Sequence, residues 1–417
     1  MNPASLAWLI SALATAGVIA RPFGWPEATW AVSGALLLVV FGLLPVHPAL
    51  DAVAKGGDVY LFLTGMMLLS ELARREGLFD WVAARVVNLA QGSPRRLFAL
   101  VYLVGAVTTI FLSNDATAVV LTPAVFAAAR RAKADPMPLL YICAFVANAA
   151  SFVLPISNPA NLVLYGARMP SLGVWLAHFA IPSAASIACT FLMLRMTQRH
   201  ALRGRCASGL PVPPLAGGGR IALAGIAATA AALLAVSVTD RPLGLPTAAA
   251  GVVTAACVLY RDRAACMPIV RAISWSVLPL VAGLFVVVEA LDRTGAVRAL
   301  AGLLRALTAS GEHTAAAASG LAIALASNFV NNLPAGLVAS LTIDAARSPQ
   351  AVIDAILIGV DLGPNLSVTG SLATILWLAA IRREGQQVGF GAFLAVGACV
   401  MTPALLLALA ARLVLGG

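Results

Sequence analysis

Residues 63–80, LTGMMLLSELARREGLFD, return 218 positions later as residues 281–298, VAGLFVVVEALDRTGAVR. Gly65, Glu71, Arg75 and Gly77 are matched by Gly283, Glu289, Arg293 and Gly295. Further along, Asn114-Asp115 and Arg130 match Asn331-Asn332 and Arg347 at a spacing of 217, so the register holds from helix to helix with one residue lost. A near-constant offset through several elements marks an internal repeat.

Around this pair, apolar runs close to the roughly 20 residues that cross hydrocarbon recur along the whole chain. The first three, at 5–20, 29–46 and 59–73, are mirrored by 221–238, 243–260 and 273–291. Each set is followed by a paired apolar segment (97–130 and 315–347) that enters and leaves by the same side, an interrupted helix, and one more span. An odd number of crossings per half, about five by this reading, turns the second half upside down. The expected fold is therefore an all-α polytopic membrane protein of two inverted-topology repeats, with about ten spanning helices, two re-entrant helical hairpins and two broken helices. Residues 1–200 form the first transmembrane repeat, 201–217 a linker and 218–417 the second.

Composition agrees. The chain is 61% hydrophobic and 11% charged over 417 residues, with a mean hydropathy of +0.94, more apolar surface than one water-soluble core can hide. A net charge of +10 would suit nucleic acid if it formed one basic face, but the arginines sit in short loops between apolar runs. Topology accounts for them: of the 27 Lys and Arg residues, most fall on one side, among them Arg74, Arg75, Arg95, Arg96, Arg130, Arg131, Lys133, Arg203 and Arg205. By the positive-inside rule that side is the cytoplasm of an inner-membrane protein, both termini are periplasmic and the Arg-, Pro- and Gly-rich linker is cytoplasmic. The first apolar stretch lacks a basic leader and a small-residue cleavage site, and reads as a retained helix.

Catalysis and cofactors find no support. The six cysteines (Cys143, Cys189, Cys206, Cys257, Cys266 and Cys399) form no CxxC pair and no cluster with histidine, which argues against a metal or a disulfide framework. There is no G-x-x-x-x-G-K-[ST] loop for nucleotide phosphates, no H-E-x-x-H pair and no G-x-S-x-G elbow.

Chemistry is expected where the helices break. FLSNDATAVVLTP (111–123) and SNFVNNLPAG (327–336) carry Asn114, Asp115, Asn331 and Asn332 at hairpin tips. NAASFVLPISNPANLVLYG (148–166) and GVDLGPNLSVTGSLATILWL (359–378) are interrupted by Pro155, Pro159, Gly363, Pro364 and Gly370, which remove or loosen helix hydrogen bonds. Freed backbone and half-helix ends at the midplane suit a polar guest, and Ser157, Asn158, Asn161, Asn365, Thr369 and Ser371 are placed to cap those ends or to bind. Asp115 and Asp361 are the intramembrane carboxylates nearest the breaks, and a charge at that depth is costly enough to indicate function. Both read as proton carriers, with Asp115 opposite Asn332 in the repeat; capping of the second hairpin arm is the alternative role for Asp115. Glu71 and Glu289 read as interfacial salt-bridge partners of the neighbouring arginines, and His178 as a packed side chain.

The four motifs, in this order and over nearly the whole chain, resemble those of the ArsB-type arsenite/antimonite permeases of the ion transporter superfamily, with SNPANL and the DLGPN…SVTGSLATILWL string the most specific. The resemblance implies an efflux carrier for the trivalent hydroxides, running as a proton antiporter alone or with a soluble ArsA-type ATPase. Clusters rich in amides and hydroxyls, without arginine, fit a small neutral polyhydroxyl solute. A sodium/proton antiporter of the same superfamily is the competing reading.

Overall fold

The computed structural model describes residues 2–209, 211–212, 214–237 and 241–415, and the secondary structure of those residues is entirely helical. Leu210 and Pro213 of the expected linker, and Val238 at the end of the expected span 221–238, lie outside them.

The first half contributes α1 (Pro3–Ala20), α2 (Glu27–Val40), α3 (Val46–Lys55), α4 (Gly57–Arg75), α5 (Leu78–Leu89), α6 (Pro94–Leu112), α7 (114–131), α8 (Pro136–Ala149), α9 (Pro159–Tyr165) and α10 (Leu172–Thr197). The second contributes α11 (Gly217–Ser237), α12 (Gly244–Arg261), α13 (Cys266–Ala272), α14 (Val277–Arg293), α15 (Ala296–Ser310), α16 (Glu312–Val330), α17 (Asn332–Ala346), α18 (Gln350–Leu362), α19 (Leu372–Arg383) and α20 (Phe390–Leu415). Each helix of the first half has a counterpart ten helices later. Starts are set by local chemistry: Ser93, Asp135 and Asn158 each accept a backbone N–H from the first turn and precede a proline, whose missing N–H has no partner there anyway.

Among the described residues, eight helical stretches are long and apolar enough to cross a bilayer, or nine when α3 and α4, bent by 46° at Gly56, count as one span. Two of the eight, α6 and α16, are first arms of the expected hairpins, and the expected spans missing from the count are missing for a local reason. α2 and α8 have only 14 residues each, about 21 Å at 1.5 Å per residue, and α8 and α18 stop at the breaks. The outward faces are apolar, with Leu13, Val40, Val253 and Phe329 all exposed, as expected of helices facing acyl chains rather than water. α5 and α15 were not among the expected elements; they are short and carry Arg85, Arg298 and Arg305.

Close packing joins the halves crosswise. A Cβ on Gly65 of α4 would collide with the backbone of Thr247 and Ala248 in α12, and one on Gly283 of α14 with the backbone of Ala31 in α2. Small residues let helix backbones touch where lipid offers no hydrophobic drive. The repeated glycine that first marked the repeat is thus the contact point between one half's fourth helix and the other half's second.

Candidate functional site

Both hairpins turn on a single residue with positive φ: Ser113 at 108° between α6 and α7, and Asn331 at 72° between α16 and α17. The two tips lie 218 apart, so the register has not slipped there. Asn114 corresponds to Asn332 and Asp115 to Leu333, which corrects the expected match of Asp115 with Asn332. The offset changes later: α7 contains a π-helical turn, Thr117–Leu121, a feature that recurs at functional sites, and the hairpin closes on left-handed Lys133, whose counterpart Arg347 lies 214 residues on.

At the first break, residues 150–158 leave carbonyls without helical partners. Asn161, fully buried, donates through Nδ2 to the carbonyls of Ser151 (2.9 Å), Pro155 (3.3 Å) and Leu154 (3.4 Å). Ser157 Oγ accepts from Leu154 N and donates to the Ile110 carbonyl of α6 at 3.0 Å, so it ties the break to the first hairpin. At the second break, Ser371 and Thr374 form a reciprocal capping box on α19. Gly370 has no space for a Cβ, which would lie 2.6 Å from Pro364 Cα and 3.0 Å from Asn328 Oδ1. That closeness lets the second hairpin sit directly on the break. Asn332 N donates to Gly370 O at 2.8 Å, Asn331 Nδ2 to Thr369 O at 3.2 Å and Asn328 Nδ2 to Gly363 O at 2.8 Å. The Thr369 hydroxyl lies 3.3 Å from that of Ser367.

The breaks also meet each other. Asn158 caps α9 by accepting from Ala160 N and donates Nδ2 to Asp361 Oδ1 at 2.8 Å, across the two halves. Beside this bond, Asn148 Nδ2 donates to Asn365 Oδ1 at 2.8 Å, and Asn365 Nδ2 to the Phe145 carbonyl at 3.3 Å. Asn148, Asn158, Asp361 and Asn365 are all buried. Five acceptor oxygens on and around the breaks find no donor: Oδ1 of Asn148, Asn161, Asn328 and Asn332, and Oδ2 of Asp361. Each unsatisfied buried polar atom costs about 1–3 kcal/mol, and such a concentration is more typical of a ligand site than of packing.

Of the expected site residues, Asn158, Asn161, Asn365, Asn332 and Asp361 belong to this constellation. Ser157, Ser371, Asn114 and Asn331 cap or stitch: Asn114 Oδ1 accepts from Asp115 N, and Asn331 Oδ1 from Leu333 N. Asp115 stands apart from Asp361. Its side chain lines a separate cavity of about 60 Å³ together with Ser70, Glu71, Ser113 and Pro159. A wider cavity, about 490 Å³, is bounded by Lys55, Val59, Phe285, Val288, Glu289 and Leu337. Some of their walls correspond in the repeat: Met67, Ser70, Glu71 and Val119 of the first lie 218 positions before Phe285, Val288, Glu289 and Leu337 of the second. Glu71 is held within its own helix by Arg74, through Nε at 2.8 Å and Nη2 at 2.5 Å. Glu289 instead reaches Lys55 on α3 at 2.9 Å, with Arg293 at 3.6 Å.

Sequence reasoning passed over Asn148 and an entire buried cluster. Asp354 on α18, wholly buried, accepts from Tyr165 Oη (2.8 Å), Gln350 Nε2 (2.8 Å) and Arg412 Nε (2.7 Å), with His178 Nδ1 at 3.1 Å. These residues tie the ends of both broken helices to α10 and α20. The available signal was a second carboxylate in α18, beside Asp361, and a lone charge, Arg412, in the apolar α20. Cys143, the thiol nearest the motifs in sequence, is buried and donates to Leu139 O within its own helix, so it does not face either cavity. No group of His, Cys, Asp and Glu among the described residues could hold a metal ion.

The citrate transporter family (CitMHS) matches residues 15–363. An arsenical pump membrane protein of Escherichia coli K12 is 30% identical over 97% of both chains, and one of Yersinia enterocolitica is 30% identical over 83% of both. Among solved structures, the YdaH transporter of Alcanivorax borkumensis superposes with a TM-score of 0.57 at 16% identity, covering 100% of this chain and 98% of its own. The antimetabolite efflux pump MtrF of Neisseria gonorrhoeae does so at 0.53 and 13%, covering 98% and 95%; at such identities these two show a shared fold alone. With a transporter family matched over most of its length and relatives aligned nearly end to end, this multi-pass membrane protein belongs to the arsenical pump membrane proteins, the ArsB-type permeases, within the citrate transporter family.

Proposed function

We propose that the chain exports arsenite and antimonite, as neutral trivalent hydroxides, across the inner membrane in exchange for protons. The observation that carries this reading is the set of five buried acceptor oxygens without donors at the breaks and the second hairpin. A trihydroxide brings hydroxyl donors and no net charge, so it would satisfy acceptors that the fold leaves open without requiring a counter-charge. The arsenical pumps among its relatives point to the same class of substrate.

Asp361 suits the coupling step. Asn158 holds one of its oxygens and the other has no hydrogen bond of its own, with the Ser151 hydroxyl close to the carboxyl group, so a proton and a substrate hydroxyl compete for the same atom. Asp115, facing its own cavity, is the second carrier. Two inverted repeats, 1–200 and 218–417 about a cytoplasmic linker at 201–217, would place the wide cavity on the periplasmic face and the narrow one on the cytoplasmic face, with the substrate handed from one to the other. A soluble ArsA-type ATPase would meet the cytoplasmic side.

Uptake of arsenite into everted membrane vesicles under an imposed proton gradient tests the reading, with Asp115→Asn alongside. Gradient-driven accumulation that the variant loses supports it; no accumulation by the wild type overturns it. Acceptor oxygens without donors also suit a cation, and this favours sodium/proton antiport as the second reading. Sodium-linked proton movement without arsenite uptake in the same vesicles would establish that one.

A further inference from the structure

A cavity of about 210 Å³ lies far from the breaks, where the linker folds back on the first hairpin. Lys133, Arg203 and Arg205 line it with a single carboxylate, Asp135, and its floor is formed by Leu97, Leu139 and Leu202. Asp135 is already engaged, since its Oδ1 accepts from Met137 N as the cap of α8. None of the three cations has an ion-pair partner among the described residues, although Arg74, Arg168, Arg293 and Lys55 elsewhere all do. Three cations against one carboxylate still leave the hollow with a net charge of +2, and like charges so gathered repel one another at short range unless a further anion sits between them.

The linker is held there by its backbone. Cys206 N donates to Gly92 O at 3.0 Å and Ala207 N to Ala132 O at 2.6 Å. Gly92 has φ of +78°, and a Cβ there would lie 3.2 Å from Cys206 O, so the contact needs glycine. Gly92 and Ala132 flank the two bases of the hairpin whose tip carries Asp115. The hollow therefore lies where α6 and α8 begin and α7 ends, at the edge of the apolar slab, with charged groups above and leucines beneath.

We propose that this cavity binds the phosphate headgroup of an anionic phospholipid, with the three cations on the phosphate and the leucines against the start of the acyl region. Polybasic segments beside membrane helices draw anionic lipid; here the cations also converge on a shaped pocket. Its position at the membrane edge and its apolar floor favour a lipid over a soluble anion.

The test uses purified protein in neutral detergent and reads thermal unfolding against added phosphatidylglycerol, phosphatidylcholine or inorganic phosphate. Phosphatidylglycerol is expected to raise the midpoint in a saturable way, and the triple variant K133Q/R203Q/R205Q to weaken its apparent affinity at least tenfold. K133Q alone, which leaves the linker untouched, should weaken it severalfold and covers the case in which the triple variant folds poorly. Neutralising Arg261, Arg263 and Arg271, exposed cations outside the cavity, should leave the response intact. Equal loss in that control would show diffuse surface charge and overturn the site. So would stabilisation by inorganic phosphate with no further gain from the lipid, or an unchanged response in the triple variant.

Discussion

Replacing Asn158 with serine should separate the two tasks that this side chain performs. Its Oδ1 caps α9 by accepting from Ala160 N at 3.0 Å, and its Nδ2 donates to Asp361 Oδ1 at 2.8 Å. Serine is as good an N-cap as asparagine, so the helix start survives, but its side chain is too short to reach the carboxylate. Interhelical hydrogen bonds inside membranes average about 0.6 kcal/mol and reach about 1.7, while bonds to charged groups run to about 1.5–3. The loss of this bond therefore costs about 1–2 kcal/mol, or about five- to thirtyfold in the equilibrium it supports. Because the freed oxygen belongs to the proposed proton carrier, the loss should appear in transport as well as in stability: a five- to thirtyfold fall in initial arsenite uptake by everted vesicles, with a thermal midpoint lowered by no more than this bond accounts for. Asn158→Ala should show the same transport defect plus about 1 kcal/mol of lost stability from the missing cap. Wild-type uptake by Asn158→Ser would refute the assignment of Asp361 and Asn158 to the transport site.

Three further outcomes follow from the geometry. Asp115→Asn should abolish proton-driven accumulation while arsenite exchange between equal concentrations on the two sides persists, measured with labelled substrate in the same vesicles; loss of both would point to a collapsed hairpin. Arg412→Met strands the wholly buried Asp354 carboxylate and should destabilise the protein by about 3–5 kcal/mol; thermal unfolding should show much of that loss recovered when Asp354→Leu is added. In a cysteine-free background, Ser340→Cys, half-buried in the wider cavity, should react readily with a water-soluble maleimide and Ser70→Cys, buried in the narrow one, slowly, since their cavities differ in volume, about 490 against 60 Å³; equal labelling would contradict the unequal cavities.

The hairpins and breaks were legible because membranes make polarity conspicuous. A run such as Ser113-Asn114-Asp115 inside apolar sequence has no cheap place except a turn or a site, and Pro155, Pro159 and Pro364 fix where helices stop. Partners were not legible. Asn148 and Asp354 announce a cost, but nothing in the sequence says that Asn365 and Arg412, 217 and 58 positions away, are what relieves it. The register of the tips was misjudged for a related reason: the offset between the hairpins changes after their tips, in the arm that holds the π turn at Thr117–Leu121, and composition does not mark where. Roles were blurred likewise, since Ser157 and Ser371, which look identical to binding residues in sequence, spend their hydroxyls on backbone.

The hydrogen bonds also constrain how such a protein can move. If the two halves rocked apart at the breaks, Asn158–Asp361 and Asn148–Asn365 would both have to open in a buried setting, a loss of about 1–2 kcal/mol each with no water to replace them. The second hairpin is stitched to its own break by three further bonds, and the first is tied to its break through Ser157 and Ile110. Hairpins and breaks from both halves therefore form one hydrogen-bonded body. The two cavities lie along its flanks instead, against α4 on one side and α14 on the other, where the contacts are mostly van der Waals and can slide without exposing polar groups. A displacement of that body against α4 and α14 can narrow one cavity and widen its counterpart without opening a bond at the breaks, and this is the least costly route by which a guest held there could face each side in turn.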